Sequence, residues 1–201
     1  KGKYGIAVGS GTDALLISLK TLNLKPGDEV ITAANTAIPT ISAIINAGGT
    51  PRLVDVGEDY LIDVNKIKKE ISSKTRAIIP VHLYGNPCDM VGLRALCDNN
   101  GLFIVEDCAE SIGTVLAGEH VGTLADAATF SFFGNKTLTT GEGGMTFFRD
   151  GAAKQRALVL RDHGMSKSRK YWHEVVGYNY RMTNLQAAIG LGQTERIKEL
   201  V

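Results

Sequence analysis

The feature that most constrains this fold is the alternation of short apolar runs with helical patterns along nearly the whole chain. Such alternation is typical of β–α units, in which parallel strands are covered by helices on both faces. The runs "RAIIPV" (76–81) and "LFIVED" (102–107) are apolar on both faces, as buried parallel strands must be. The sequence therefore predicts an α/β fold, namely a three-layer sandwich with a mostly parallel sheet.

The pattern assigns seven strands and five helices before residue 163. The predicted strands are 6–8, 29–32, 52–56, 77–81, 102–106, 128–132 and 145–148, and the predicted helices are 12–22, 38–47, 64–71, 91–99 and 152–162. Asp63 is the predicted N-cap of the third helix, because Val64, Ile67 and Ile71 then follow at helical spacing. From residue 171 onward the alternation stops, and we predict an aromatic loop followed by a long amphipathic helix.

Composition excludes several classes of function. The chain has 201 residues and a net charge of +1, which suits one sizeable domain and gives no electrostatic basis for binding nucleic acid or an anionic membrane. No apolar run approaches the ~20 residues of a membrane span, and the start lacks the pattern of a signal peptide. The three cysteines, Cys88, Cys97 and Cys108, form no C-x-x-C pair. We therefore expect reduced thiols, no metal site and a cytoplasmic protein.

Both ends of the chain look cut. It opens on "KGKYGIAVGS" without a methionine and closes on "RIKELV" inside a predicted helix. We therefore expect it to be a piece of a longer protein.

In open α/β sheets, ligands bind beyond the carboxyl ends of the strands, so the residues that follow each strand are the candidates for function. The first strand is followed by "GSGT" at 9–12, where free N–H groups at the start of a helix could bind a phosphate. The segment is neither a Walker loop nor a complete G-x-G-x-x-G fingerprint. An ordinary turn capped by Ser10 or Thr12 explains it equally well.

Asp107 ends a strand that should be buried, where an unpaired carboxylate is strongly destabilising, so a partner is implied. The partner could be a ligand. Asp107 could equally cap a helix that starts at "DCAE" (107–110), and the residues alone favour neither reading.

Lys136 follows the predicted strand 128–132 within "FGNKTLTTGEGG" (133–144). A lysine at the rim of a buried strand can lose its proton more readily, and the free amine is a nucleophile for a carbonyl. The alternative is a surface lysine whose stem packs on the protein while its ammonium stays in water. The glycines that follow favour the first reading, since they let the backbone approach a ligand.

Together, a phosphate site, a buried aspartate and a lysine at a strand end are what pyridoxal 5'-phosphate (PLP) requires. The lysine forms a Schiff base with the cofactor, the aspartate pairs with the pyridinium nitrogen and the helix N-terminus holds the phosphate.

Eight ordered segments also resemble a known family. They are "SGTDALLISL", "GDEVIT", "AGGTPRLVDV", "IIPVHLYGNPCDM", "VEDCAESIGT", "GTLADAATFSFFGNKTLTTGEGGM", "LRDHGM" and "GYNYRMTNLQAAIG". They are similar to the nucleotide-sugar aminotransferases of the DegT–StrS group, which are fold-type I PLP enzymes. Within that group, the segment around Lys136 most resembles the enzymes that form GDP-perosamine.

The resemblance implies roles for individual residues. Lys136 matches the Schiff-base lysine, Asp107 the partner of the ring nitrogen, and Glu110 the position, often glutamine, near the phenolic oxygen of the ring. The implied phosphate ligands are Gly11, Thr12, Ser131 and, across the interface of a homodimer, Asn179. His82 and His163 also lie in matching segments, and we expect each to be a buried, hydrogen-bonded histidine. Residues 1–201 would form the PLP-binding large domain, with an N-terminal segment and a small C-terminal domain missing.

One position departs from the family pattern. The aromatic residue that commonly stacks on the PLP ring is replaced by Ala37. The resemblance nevertheless implies an aminotransferase that moves an amino group, with glutamate as the expected donor, to a nucleotide-linked keto-deoxysugar. Two alternatives stay open: a non-catalytic regulatory protein of the same fold that binds PLP or a nucleotide sugar, and a Rossmann-type nucleotide-binding oxidoreductase.

Overall fold

The computed structural model describes residues 4–201, which form nine strands and seven α-helices. The strands are β1 (Tyr4–Val8), β2 (Glu29–Ala33), β3 (Thr50–Val54), β4 (Thr75–Ile79), β5 (Phe103–Asp107), β6 (Val115–Leu116), β7 (Glu119–His120), β8 (Ala127–Ser131) and β9 (Gly144–Phe148). The helices are α1 (Gly11–Lys20), α2 (Ile38–Ala47), α3 (Val64–Glu70), α4 (Met90–Asn100), α5 (Gly151–Arg161), α6 (Asn184–Glu195) and α7 (Ile197–Leu200).

Seven strands form the central sheet in the order β1-β9-β8-β5-β4-β2-β3. The pairs from β8 to β3 are parallel, whereas β9 is antiparallel to both of its neighbours, β1 and β8. The mostly parallel sheet predicted from the sequence is thus confirmed, and each predicted strand corresponds to a strand of this sheet.

Helices cover both faces of the sheet because successive strand residues point to opposite sides. Val30, Ala77 and Val105 pack in one core with α1, α2 and α5. Their chain neighbours Ile31, Ile78 and Ile104 pack in a second core with α3 and α4. This arrangement confirms the three-layer sandwich.

Two of the local predictions need correction. A short hairpin of β6 and β7, absent from the prediction, turns at Ala117 and Gly118, both of which have positive φ. The long C-terminal helix is interrupted at Arg196, whose φ of −104° and ψ of 11° depart from helical values. Moreover, α6 buries none of its residues, so the amphipathic pattern there does not mark a face that packs within this chain.

The predicted cap of α3 is confirmed, because the Asp63 carboxylate accepts a hydrogen bond from Asn65 N at 2.8 Å. All three cysteines are free and buried, as expected of reduced thiols. Within residues 4–201, no helix has the length and apolar character needed to cross a bilayer.

Candidate active site at the carboxyl edge of the sheet

Several predicted site residues lie at the ends of strands that run in the same direction, so they share one edge of the sheet. Gly11 and Thr12 follow β1, Asp107 ends β5, and Ser131 ends β8. Ser131 and Gly11 are in close contact, since a Cβ added at Gly11 would lie 2.7 Å from Ser131 Cβ. The structure thus brings together residues that are separated widely in the sequence.

The N-terminus of α1 has the features of an anion site. Ser10 is the N-cap, and its hydroxyl accepts a hydrogen bond from Asp13 N at 3.1 Å. The N–H groups of Gly11 and Thr12 precede any intrahelical acceptor and point out of the helix end. Ser131 Oγ accepts from Phe133 N at 3.3 Å, which leaves its own proton free to donate.

Asp107 is buried, and both of its carboxylate oxygens accept hydrogen bonds. Oδ2 accepts from the Thr40 hydroxyl at 3.0 Å, and Oδ1 accepts from Ala109 N at 3.2 Å. The second bond forms a local turn, but no helix begins there, so the helix-cap reading of Asp107 is wrong.

Burial raises the pKa of Asp107 above its usual range. The hydrogen bonds from Ala109 and Thr40 and the charge of Lys136 act in the opposite direction on that pKa. A cationic ligand beside the carboxylate would favour its ionised form and so oppose that rise in pKa.

Lys136 lies in the loop that joins β8 to the antiparallel β9. The base of the loop is closed by the Phe132 N–H, which donates to Gly143 O at 2.9 Å, and Lys136 N donates to Phe133 O at 3.0 Å. The side chain is 20 % exposed, and its Nζ lies 3.6 Å from Glu110 Oε1. Lys136 is therefore partly buried and paired with an acid, unlike a surface lysine in open water.

Glu110 connects the lysine to the segment after β4. Its second oxygen, Oε2, accepts from Tyr84 N at 2.9 Å, and Tyr84 has a φ of 55° within a 3₁₀ turn (Leu83–Gly85). The structure thus brings together Lys136 and Glu110, two residues singled out from the sequence for separate roles. The turn at Tyr84, which helps to orient Glu110, was not predicted.

Two predicted positions lie at the margin of this edge. Asn179 is exposed, and the next residue, Tyr180, accepts a hydrogen bond from Gly9 N at 3.0 Å, so the segment runs beside the start of α1. Ala37 is the N-cap residue of α2 and is also exposed.

The two histidines differ. His82 is fully buried and hydrogen-bonded, as expected. His163 is exposed and has a φ of 57°, so the prediction of a buried histidine is wrong there. Its carbonyl oxygen lies 2.8 Å from His173 Nδ1 at the surface.

A buried network behind Asp107 was not predicted from the sequence. Cys88 N donates to His82 Nδ1 at 3.1 Å, so the ring proton is on Nε2, which donates to Glu106 Oε2 at 3.1 Å. Backbone N–H groups complete the bonding of the Glu106 carboxylate: Gly122 N donates to Oε2, and Leu124 N and Ala125 N donate to Oε1. The only signal for this network was an acidic residue inside an apolar strand.

His82, Glu106 and Cys108 have potential metal ligand atoms within 4.8 Å of one another. However, the histidine nitrogens and the carboxylate oxygens are already engaged in hydrogen bonds. Burial also raises the pKa of the Cys108 thiol well above its usual range, which disfavours the thiolate that binds metals. We therefore assign this cluster to structural support.

Comparison with known proteins identifies the family. All of residues 1–201 match the model of the DegT/DnrJ/EryC1/StrS aminotransferase family. The chain is 44% identical over 202 residues to GDP-perosamine synthase of Vibrio cholerae and 46% identical over 200 residues to that of Escherichia coli O157:H7. These alignments cover 100% and 99% of the chain but only 55% of each relative, so the chain spans about half the length of the curated relatives it matches.

A solved structure agrees with these relatives. The crystal structure of NtdA from Bacillus subtilis with bound cofactor PMP matches with a TM-score of 0.91 and 37% identity, over 99% of this chain and 45% of that one. The fold, the sequence match over the whole chain and the similar relatives agree. This chain belongs to the DegT/DnrJ/EryC1/StrS aminotransferase family.

Proposed function

We propose that this chain is the cofactor-binding part of a PLP-dependent aminotransferase that acts on a nucleotide-linked keto sugar. The observation that supports this most directly is the convergence of three features at one edge of the sheet. These are the partly buried Lys136, the buried Asp107 and the N-terminus of α1 beside Ser131.

The residues fit the cofactor chemically. The carboxylate of Asp107 has further lone pairs after accepting from Thr40 and Ala109, and it could accept from a protonated ring nitrogen. That charge would offset the unfavourable burial that raises the pKa of Asp107. The Gly11 and Thr12 N–H groups and the Ser131 hydroxyl are donors suited to a phosphate.

When bound, PLP would withdraw electrons from the Cα of the amino donor and carry the amino group between the two substrates. Lys136 would anchor the cofactor through Nζ, and the freed amine would carry the proton that leaves the donor Cα. Asp107 would hold the ring nitrogen, and Glu110 would lie beside the lysine and the phenolic oxygen of the ring.

The remaining parts of the proposal follow from the similar relatives. Both named relatives are GDP-perosamine synthases, which supports a nucleotide-linked sugar as the acceptor. We include glutamate as the donor, a cytoplasmic location and a homodimer in which Asn179 reaches the phosphate of the partner's site. The PMP bound by NtdA, the amino form of PLP, supports the choice of cofactor.

Borohydride trapping tests the proposal. The protein at its full natural length would be mixed with PLP, reduced and digested, and the pyridoxyl adduct located by mass spectrometry. We expect the adduct on Lys136, its loss in both Lys136→Ala and Lys136→Arg, and its retention in Lys68→Ala, which removes an exposed lysine of α3. The arginine variant keeps the charge but not the nucleophile.

The outcomes separate the alternatives. An adduct together with amino transfer to a nucleotide keto sugar would support the whole proposal. An adduct without transfer would favour a regulatory protein. A folded dimer that gives no adduct, or that binds NAD instead of PLP, would refute the cofactor assignment.

A further inference from the structure

A directed chain of two hydroxyl groups leads to Asp107. Thr36 Oγ1 lies 2.9 Å from Thr40 Oγ1, which lies 3.0 Å from Asp107 Oδ2. An ionised carboxylate can only accept, so Thr40 donates its single proton to Asp107. Thr40 can then only accept from Thr36, which makes Thr36 the donor and fixes the direction of both bonds.

The burial of Thr40 prevents its hydroxyl from bonding to water instead of Asp107. It belongs to the first turn of α2 and is 1% exposed, and Asp107 is 5% exposed. A buried hydroxyl without a partner would be destabilising, and the same is true of a buried carboxylate. The bond between them therefore satisfies both groups at once.

We propose that Thr40, supported by Thr36, is a positioning residue that keeps the Asp107 carboxylate ionised and fixed in orientation for the ring nitrogen of the cofactor. This inference rests on the proposed function. Thr40 acts through Asp107, because its proton is already committed to Oδ2.

Other charged or titratable groups around Asp107 also influence its ionisation. His82 follows β4, Lys136 lies in the loop after β8, and Glu106 and Cys108 flank Asp107 on the chain. Burial raises the pKa of Asp107, and the Ala109 N–H, the Thr40 hydroxyl and the charge of Lys136 counteract that rise. If the Thr40 bond is removed while the other groups stay, the carboxylate should become ionised only at higher pH.

Two substitutions separate this role from packing. Thr40→Val keeps the shape and removes the hydroxyl, while Thr40→Ser keeps the hydroxyl and removes the methyl group. A positioning role predicts that the valine variant loses cofactor affinity and that the serine variant retains it. If Thr40 acts only through packing, the serine variant should be less stable than the wild type, and the valine variant should keep both its stability and its cofactor affinity.

The experiment measures the dissociation constant of PLP as a function of pH, by absorbance, on the protein at its full natural length. For Thr40→Val we expect affinity about tenfold weaker at neutral pH, the size expected when one hydrogen bond to a charged group is lost. The fall in affinity on the acid side should begin at higher pH than in the wild type. Thr40→Ser should restore the wild-type profile, and Thr36→Val should move it in the same direction by less.

Wild-type affinity and an unchanged pH profile in Thr40→Val would overturn the inference. If Thr40→Val fails to fold, Thr36→Val decides the question. An unchanged pH dependence of PLP affinity in Thr36→Val would show that the chain of hydroxyls does not act on Asp107. A wild-type protein that binds no PLP would refute the proposed function itself, and the inference with it. Binding of PLP by the wild type with no effect of either valine variant would refute the inference alone.

Discussion

At the scale of single residues, Asp107 is subject to two opposing demands. Its carboxylate is buried, and its pKa is raised by that burial, so the ionised form destabilises the protein when no cation faces it. The proposed function nevertheless requires the ionised form. The residue is therefore expected to favour cofactor binding at the expense of the stability of the cofactor-free protein.

We predict that Asp107→Asn raises the melting temperature of the cofactor-free protein at neutral pH and weakens PLP binding. Because the folded pKa of Asp107 lies above the ordinary value of 3.8, the unfolded state releases this proton first as pH rises. The wild type should therefore lose stability as pH rises from about 4, while the asparagine variant lacks this loss. Thermal unfolding of the wild type and of Asp107→Asn from pH 4 to 8 measures the difference between their melting temperatures. If that difference stayed constant over the range, the prediction would be contradicted.

The residues of this site were predictable from the sequence to different degrees. Lys136 and Asp107 could be predicted because each lies at the end of a buried strand. A charged side chain there is destabilising unless it has a partner, and ligands bind at that edge of the sheet. Thr40, the hydrogen-bond partner of Asp107, could not be predicted, and neither could the network around Glu106. Thr40 is 67 residues from Asp107 and lies in α2, whereas Asp107 ends β5. No local pattern indicates which hydroxyl reaches a distant carboxylate.

At the scale of secondary structure elements, Glu106 ties β5 to the loop before β8. Each of its oxygens accepts two hydrogen bonds, so a glutamine in either orientation would place its NH₂ group against two donors. We predict that Glu106→Gln lowers the free energy of unfolding by about 2 kcal/mol or more. Urea unfolding would show it, with the exposed Glu119→Gln as a control expected to change stability by less than about 0.5 kcal/mol.

Gly144, the first residue of β9, lies against the start of α1. A Cβ there would overlap the carbonyl oxygen of Ser10 and come within 2.8 Å of Gly11 N. We predict that Gly144→Ala destabilises the protein by about 1–3 kcal/mol and weakens PLP binding, because the phosphate-binding end of α1 must move.

Gly192 in α6 is the matched control, since a Cβ there meets no atom within 4 Å. Gly192→Ala should stabilise the helix by up to about 1 kcal/mol. Chemical denaturation and PLP titration of both variants make the comparison, and equal effects at the two glycines would show that the contact with α1 is unimportant.

The strands of the sheet were predictable because their periodicity and apolar character are local properties. The hairpin of β6 and β7 was not, since two residues per strand carry too little pattern. The interruption of the last helix at Arg196 was also missed, because its backbone angles are not specified by any glycine or proline nearby.

At the scale of the whole molecule, α6 leaves apolar side chains uncovered. Leu185 is 81% exposed and Leu191 is 63% exposed, and no residue of α6 is buried. The proposed homodimer, in which Asn179 serves the partner's site, agrees with this surface.

That arrangement predicts complementation between two inactive variants. Lys136→Ala and Asn179→Ala homodimers should each be impaired, but a mixed dimer should contain one intact site. Mixing equal amounts after reversible dissociation should therefore restore about a quarter of wild-type activity. An amino-transfer assay on the mixture checks this, and no recovery in confirmed heterodimers would show that Asn179 does not act across the interface.

The pairing of β1 with β9 also has a consequence for folding. Tyr4 pairs with Phe148, so β1 finds its partner only after the whole segment from β1 to β9 has been made. Contacts of such high sequence separation slow folding, since a large loop must close before they form. During synthesis on the ribosome, β1 would lack its neighbouring strand, and the contact of Gly144 with Ser10 and Gly11 at the start of α1 would form only once β9 has been made. The anion-binding end of α1 should therefore be among the last parts to become ordered.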